Sequence, residues 1–270
     1  MSSKGKRTKT KHKSKKMPII FAIIILILAI AAGLYYYFFV YNQDKENPTV
    51  DLGIGEGLKE EEPEQPKSIF EGNDRPIAVM IDNHKGAWPQ VGLNSAYSVY
   101  EIIVEGGETR LMALFKGVDL EKIGPVRSAR HYFLDYALEN DAIYVHYGWS
   151  PQAREDWSKL GVDRIEVNES TTGWRDKSAS KTYEFTLFTN IEKLGKGIRS
   201  KRTERNKDLL LNYSVDNIDI SQMEGAIPAN KIDIKYSNNT TTNYKYDTDN
   251  NIYLRSVNNK SQNDYVTGKQ

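Results

Sequence analysis

The chain contains no cysteine. That absence excludes disulfides, thiol nucleophiles and thiolate metal sites, and it removes the cysteine on which a bacterial lipoprotein carries its lipid. Histidine is scarce, four in 270 residues, and no pair stands at the HxxxH spacing of a helical metal site. No serine occupies a Gly-x-Ser-x-Gly elbow. No glycine-rich phosphate loop follows the first apolar run, because Asp82-Asn-His-Lys-Gly86 is neither a P-loop nor a dinucleotide fingerprint. A mixed set of Asp82, His84, Glu105, Glu108 and His146 could in principle ligate a metal, but it lacks any tight signature. No metal and no cofactor are therefore expected.

Acidic residues are missing from the first sixteen positions. Basic ones are not: Lys4, Lys6, Arg7, Lys9, Lys11, Lys13, Lys15 and Lys16 stand there. The formal net charge of +1 thus averages a basic arm and a mildly acidic remainder. A basic arm alone could suggest nucleic acid. This one runs straight into an apolar segment, which favours membrane topology, and nucleic acid is not expected as a partner.

From Pro18 to Val40 the sequence PIIFAIIILILAIAAGLYYYFFV carries no charge. A helix of that length spans a hydrocarbon core of about 30 Å. Tyr35, Tyr36, Tyr37 and Tyr41 gather at its C-terminal end, where amphipathic rings favour the headgroup zone. The run is longer than the apolar region of a cleaved signal peptide, and bulky rings fill the place of a cleavage site. The expectation is a retained signal-anchor, single-pass, with a cytoplasmic N-terminus and extracytoplasmic folded domains.

Five segments follow from composition and pattern: a basic tail at 1–17, a transmembrane helix at 18–40, an acidic Pro- and Gly-bearing linker at 41–67, an α+β domain at 68–207 and a β-rich domain at 208–270. Pro76–Ile81, Tyr100–Glu105 and Arg110–Lys116 read as strands, the last two joined through Gly106-Gly107 as a hairpin. Pro125 is expected to open a helix whose core stripe is Ala129, Phe133, Leu134, Ala137 and Leu138. Ala142–His146 and Arg164–Val167 are further strands, separated by a helix from Pro151 to Leu160 that stops at Gly161. A short capped helix runs from Asn190 to Lys196. The fold class is a mixed β-sheet with packed helices. Lys231–Tyr236, Tyr244–Tyr246 and Ile252–Arg255 then alternate as strands of a smaller sheet, which looks incomplete after Gln270.

Gly124-Pro-Val-Arg-Ser-Ala-Arg-His131 stands out chemically. At a helix start, Arg127 and Arg130 three apart would join Ser128 and free backbone N–H groups in an anion site. The alternative is that these arginines tie helix to sheet through Glu101, Glu105 or Glu108. Asp82 and His84 end the first strand, at the sheet edge where ligands tend to bind, although an Asx-turn explains Asp82 as well. His146 ends another strand, and Ser150 after it fits a helix N-cap.

Several of these segments together resemble the YerB-like family of Gram-positive envelope proteins, a two-domain family of undefined activity. They are RPIAVMIDNH at Arg75–His84, YEIIVEGGETRLMALF at Tyr100–Phe115, IGPVRSARHYF at Ile123–Phe133 and HYGWSPQA at His146–Ala153. The resemblance implies a shared polar set of Asp82, Asn83, Glu105, Arg110, Arg127, Ser128, Arg130 and His146, and it supplies no reaction. Family members are often lipoproteins, whereas this chain has its apolar helix instead. Relatives also carry a Pro-His-Asn element where Glu184-Phe-Thr186 stands here. The expected function is a membrane-anchored extracytoplasmic binding or regulatory protein that recognises an anionic wall component or an envelope protein. The alternative is an envelope hydrolase using Asp82 or Glu105 as general base beside an arginine-lined anion site.

Overall fold

The computed structural model describes residues 17–37, 74–199, 211, 213–214, 216 and 218–270. The basic tail, the last residues of the apolar run, the acidic linker and residues 200–210 lie outside the described residues. The first helix belongs to one compact unit, Met1–Pro63, and everything after it to a second, Glu64–Gln270.

Helix α1, Met17–Tyr36, is 20 residues of MPIIFAIIILILAIAAGLYY without a charged side chain. Pro18 falls in its first turn, where a missing N–H is harmless. Among the described residues, no helix is long and apolar enough to cross a membrane. The side chains of 17–25 and 27 lie outside that description, so the spanning reading rests on the sequence.

The second unit is built on a five-stranded mixed sheet in the order β2-β3-β1-β4-β5. Its strands are β1 (Ile77–Asp82), β2 (Ser98–Ile103), β3 (Thr109–Phe115), β4 (Ile143–His146) and β5 (Arg164–Glu166). β2, β3 and β1 pair antiparallel, whereas β1, β4 and β5 run parallel. β1 and β3 are buried along their whole length, which explains their unbroken apolar runs: both faces of the central strands are covered. Ala78, Met80, Met112, Leu114 and Tyr144 pack under helices α2 (Leu134–Glu139) and α3 (Pro151–Lys159), against Phe133, Leu134, Ala137, Ala153 and Trp157. Val79, Ile81, Leu111, Phe115 and Val145 face the other way, onto Ile123, Val126, Leu187 and Leu194. That second cover includes the two-stranded pair β6 (Trp174–Arg175) and β7 (Leu187–Phe188) and helix α4 (Ile191–Gly197). The Ser150 and Asn190 side chains cap α3 and α4 as expected, each accepting from an N–H three residues on.

The helix expected at Pro125 is not there. Residues 123–130 run extended, and helical structure begins only with a 3-10 turn at His131–Phe133. Tertiary pairing overrides the helical pattern, because the N–H groups of Val126, Arg127 and Ala129 go to Leu187, Met80 and Gly148 carbonyls. Gly124 makes this passage possible. At φ 142°, a Cβ there would come 2.9 Å from Val126 N and 3.0 Å from Leu187 O. Ala129, Phe133, Leu134 and Ala137 are nonetheless core residues, contributed by two segments rather than one stripe.

A four-stranded sheet, β11-β10-β9-β8, follows: β8 (Lys231–Lys235), β9 (Thr241–Asp247), β10 (Ile252–Val257) and β11 (Lys260–Ser261). It docks on the β2–β3 hairpin. Ser237 Oγ and Thr240 Oγ1 both donate to the Gly107 carbonyl, at 2.6 and 2.8 Å, and Asn239 Nδ2 donates to Gly106 O at 3.1 Å. Gly107 sits at φ 75°, and a Cβ on it would crowd Ser237 Oγ at 3.0 Å.

Candidate functional site

β1 ends at Asp82 directly opposite Arg110, the second residue of β3. Both side chains emerge beside the extended segment that carries Arg127 and Arg130. Together with His84, Glu105, Glu108, Glu184 and Phe185 these residues line a cleft of about 340 Å³. Three guanidinium groups therefore meet in one place, although they do not share a helix face and no helix N-terminus contributes.

Two of the three are neutralised. Arg127 Nε lies 2.7 Å from Asp82 Oδ2, and its Nη2 donates to Glu184 Oε2 at 2.8 Å. Asp82 is also held by the His84 N–H at 2.8 Å, the Asx-turn reading of this strand end. Its Oδ2 and Arg127 Nε are buried without an aligned hydrogen bond to any group. Arg130 grips Glu105 through both carboxylate oxygens, at 2.7 and 2.9 Å. That grip pulls the Glu105 carboxyl down to about 2.

Arg110 differs. Its residue is 7% exposed, its Nη1 donates to the Ser128 carbonyl at 2.8 Å, and it forms no ion pair among the described residues. Burial, aided by Arg130 and Arg127 and opposed by Asp82, lowers it to about 10. It stays charged near neutrality, a buried cation without a contacting anion. Burying a charge in this way is expensive.

Three expected site residues have other occupations. Asn83 is buried and makes four side-chain bonds, to Glu101 and Thr109 and from Gln90 and Gln262, so it joins the two sheets rather than facing a ligand. Ser128 contributes its carbonyl to Arg110 and does not line the cleft. His146 is fully buried on the helix-covered face, with Nδ1 2.9 Å from Gly148 O, Nε2 3.0 Å from Arg164 Nη1 and its ring stacked on Trp157. Sequence reasoning did not place Glu184 or Phe185 here. Phe185 stacks on His84 with centroids 5.1 Å apart, and no local pattern marks a loop whose partner Arg127 is 57 residues away. Among the described residues, no group of three or more His, Asp or Glu is gathered to hold a metal ion.

Burial lowers His146 to about 4 from an ordinary 6.5, with Arg164 adding to the shift. The neutral ring is the folded form, so its contribution is complete above pH 6.5 and is lost as pH falls towards 4. The unfolded chain takes up the proton first, and stability drops by up to about 3 kcal/mol across that window. Urea midpoints measured from pH 7 to pH 4.5 should fall in the wild type and stay flatter in His146→Gln. Parallel slopes would refute this assignment.

Larger openings exist. One of about 790 Å³ follows β5 and the end of α4, and one of about 540 Å³ lies where β9 and β10 meet the first sheet. In the latter the Glu101 carboxylate is matched by Arg255 at 2.7 Å. Buried Asp264 on the same wall accepts from the N–H groups of Gly92, Val266 and Thr267.

Residues 62–204 match the family described as protein of unknown function (DUF3048), N-terminal domain. The chain belongs to the DUF3048 family. It is 34% identical over 204 residues to YerB of Bacillus subtilis (strain 168), a lipoprotein by name, covering 72% of this chain and 59% of that one. The chain thus spans about three fifths of the length of that curated relative. The crystal structure of YerB from Bacillus subtilis superposes with a TM-score of 0.59 at 30% identity, over 73% of this chain and 65% of that one. The YerB-like resemblance of the sequence motifs is therefore shown, together with the mixed α+β architecture and its β-rich C-terminal sheet. For DUF3048 members the family description assigns no activity.

Proposed function

We propose that this DUF3048 protein is tethered to the cell membrane by residues 18–40, with its folded unit outside the cytoplasm, and that its cleft binds an anionic cell-wall component. The observation that carries the binding half is Arg110, a buried guanidinium without an anion, flanked by two more guanidinium groups. The tether is supported by the charge-free, almost wholly apolar run at 18–40, a composition that suits lipid rather than a water-facing surface. The basic flank argues for a cytoplasmic N-terminus, and the lipoprotein name of YerB suits an envelope location.

Binding is favoured over hydrolysis. A general base works best with a pKa near the operating pH, and Arg130 drives Glu105 far below that. Asp82 is already engaged by Arg127 and by the His84 N–H. The test is co-sedimentation of the detergent-solubilised full chain with isolated cell walls. Wild type should pellet with the walls, and Arg127→Gln/Arg130→Gln should bind roughly tenfold more weakly or worse. Equal pelleting by the two would remove the cleft from the binding reaction.

A further inference from the structure

Glu105 and Glu184 reach the cleft from two different loops and approach the arginines from the solvent side. Their side chains are 65% and 60% exposed, whereas those of Arg130 and Arg127 are 15% and 25% exposed. The Glu105 carboxylate is gripped by Arg130 and touched otherwise only by its own backbone N–H among the described residues. It sits on a turn with Gly106 at φ 73° and Gly107 at φ 75°, and a Cβ on Gly106 would meet nothing within 4 Å. The turn is open in front and tied from behind, where Ser237, Asn239 and Thr240 of the C-terminal sheet bind its carbonyls.

Resting on the anion reading above, we infer that Glu105 is an internal counter-anion that occupies Arg130 until a phosphate group displaces it, and that the C-terminal sheet holds it in place. A guanidinium fork accepts carboxylate and phosphate in the same bidentate way, so the Glu105 contact shows the geometry an incoming ligand reproduces. Phosphate is the better match. It offers three or more acceptor oxygens, enough to serve Arg130 and the bare Arg110 together, where a planar carboxylate offers two. Glu184 screens Arg127 in the same manner. The Glu108 carboxylate on the cleft wall opposes casual anions and leaves entry to a ligand that engages both arginines.

The test is calorimetric titration of the full chain in detergent with inorganic phosphate, and with acetate for comparison. Glu105→Gln should bind phosphate about fivefold more tightly than wild type, the size of one solvent-facing ion pair, and both proteins should prefer phosphate to acetate. Wild-type binding with no gain in Glu105→Gln would overturn the inference and leave the anion site standing. No phosphate binding by either protein would overturn both. A preference for acetate would overturn the ligand class. Because the Glu105 side chain is 65% exposed and no side chain but Arg130 binds it among the described residues, the variant keeps its fold. Ser237→Ala/Thr240→Val, which frees the turn from behind, should move the affinity in the same direction; an unchanged affinity would refute the role given to the sheet.

Discussion

Replacing Arg110 by Met is expected to raise the denaturation midpoint of the chain while abolishing its affinity for phosphate. Most substitutions at a buried position lower stability, so the sign is the informative part. Arg110 is 7% exposed, lacks an ion pair among the described residues, and is held at about 10 instead of 12.5. A base whose folded pKa lies below its unfolded one is destabilised by its charge at every pH below the folded value. Met fills similar volume without that charge, and replacing buried charges by apolar groups is often neutral or stabilising. The Ser128 carbonyl loses its donor, which returns about 1 kcal/mol. The net gain should be about 1 kcal/mol, visible as a higher urea midpoint at unchanged slope. Phosphate affinity should fall at least about a hundredfold, the effect of losing a buried charge-assisted partner. Arg110→Lys should not restore it, because a point charge cannot reproduce the fork.

The largest loss of stability is expected from Glu101→Leu. Its carboxylate is 7% exposed and saturated: Oε1 accepts from Asn83 at 3.2 Å, Thr109 at 2.7 Å and Thr242 at 2.9 Å, and Oε2 accepts from Arg255 at 2.7 Å. Two of those donors lie on the C-terminal sheet and two on the first. Leucine would leave the partly buried Arg255 against an apolar group and take an acceptor from three further donors. Breaking one side of such a pair costs about 3–5 kcal/mol. The consequence should be local before it is global, with the C-terminal sheet released while the first sheet remains folded. A lower urea midpoint with protease cleavage ahead of β8 would show this. A variant that unfolds within 1 kcal/mol of wild type, roughly the size of an exposed pair, would show that the sheets are held by something else.

These two residues mark what the sequence could and could not disclose. Strands at Ile77–Asp82, Thr109–Phe115 and Ile143–His146 were legible because short β-branched runs bounded by turn-formers have few alternatives. Helices at Pro151 and Ile191 were legible from Ser150 and Asn190, whose caps act locally. The passage from Gly124 to Arg130 was not. Its apolar spacing fits a helix, and only pairing with Met80, Gly148 and Leu187, distant in sequence, decides that it is extended. The arginines gather in one cleft, but not at a helix start: Arg110 and Asp82 face each other through strand register, and Arg127 and Arg130 arrive on an extended chain. Arg130 pairs with Glu105, one of the carboxylates the sequence offers, whereas Arg127 pairs with Asp82 and Glu184. Asn83 and His146 were polar residues at strand ends, a pattern shared by ligands and by satisfied core groups. Burial and partners separate the two cases, and those depend on the second sheet and on α3.

The most direct test sets the phosphate affinity of the full chain beside that of Arg110→Met, measured by calorimetry in the same detergent, with both urea midpoints. The expected result is saturable binding by wild type and none by the variant, although the variant is the more stable protein. Equal binding by both, or no binding by wild type, would contradict the assignment of Arg110 as the seat of an anion.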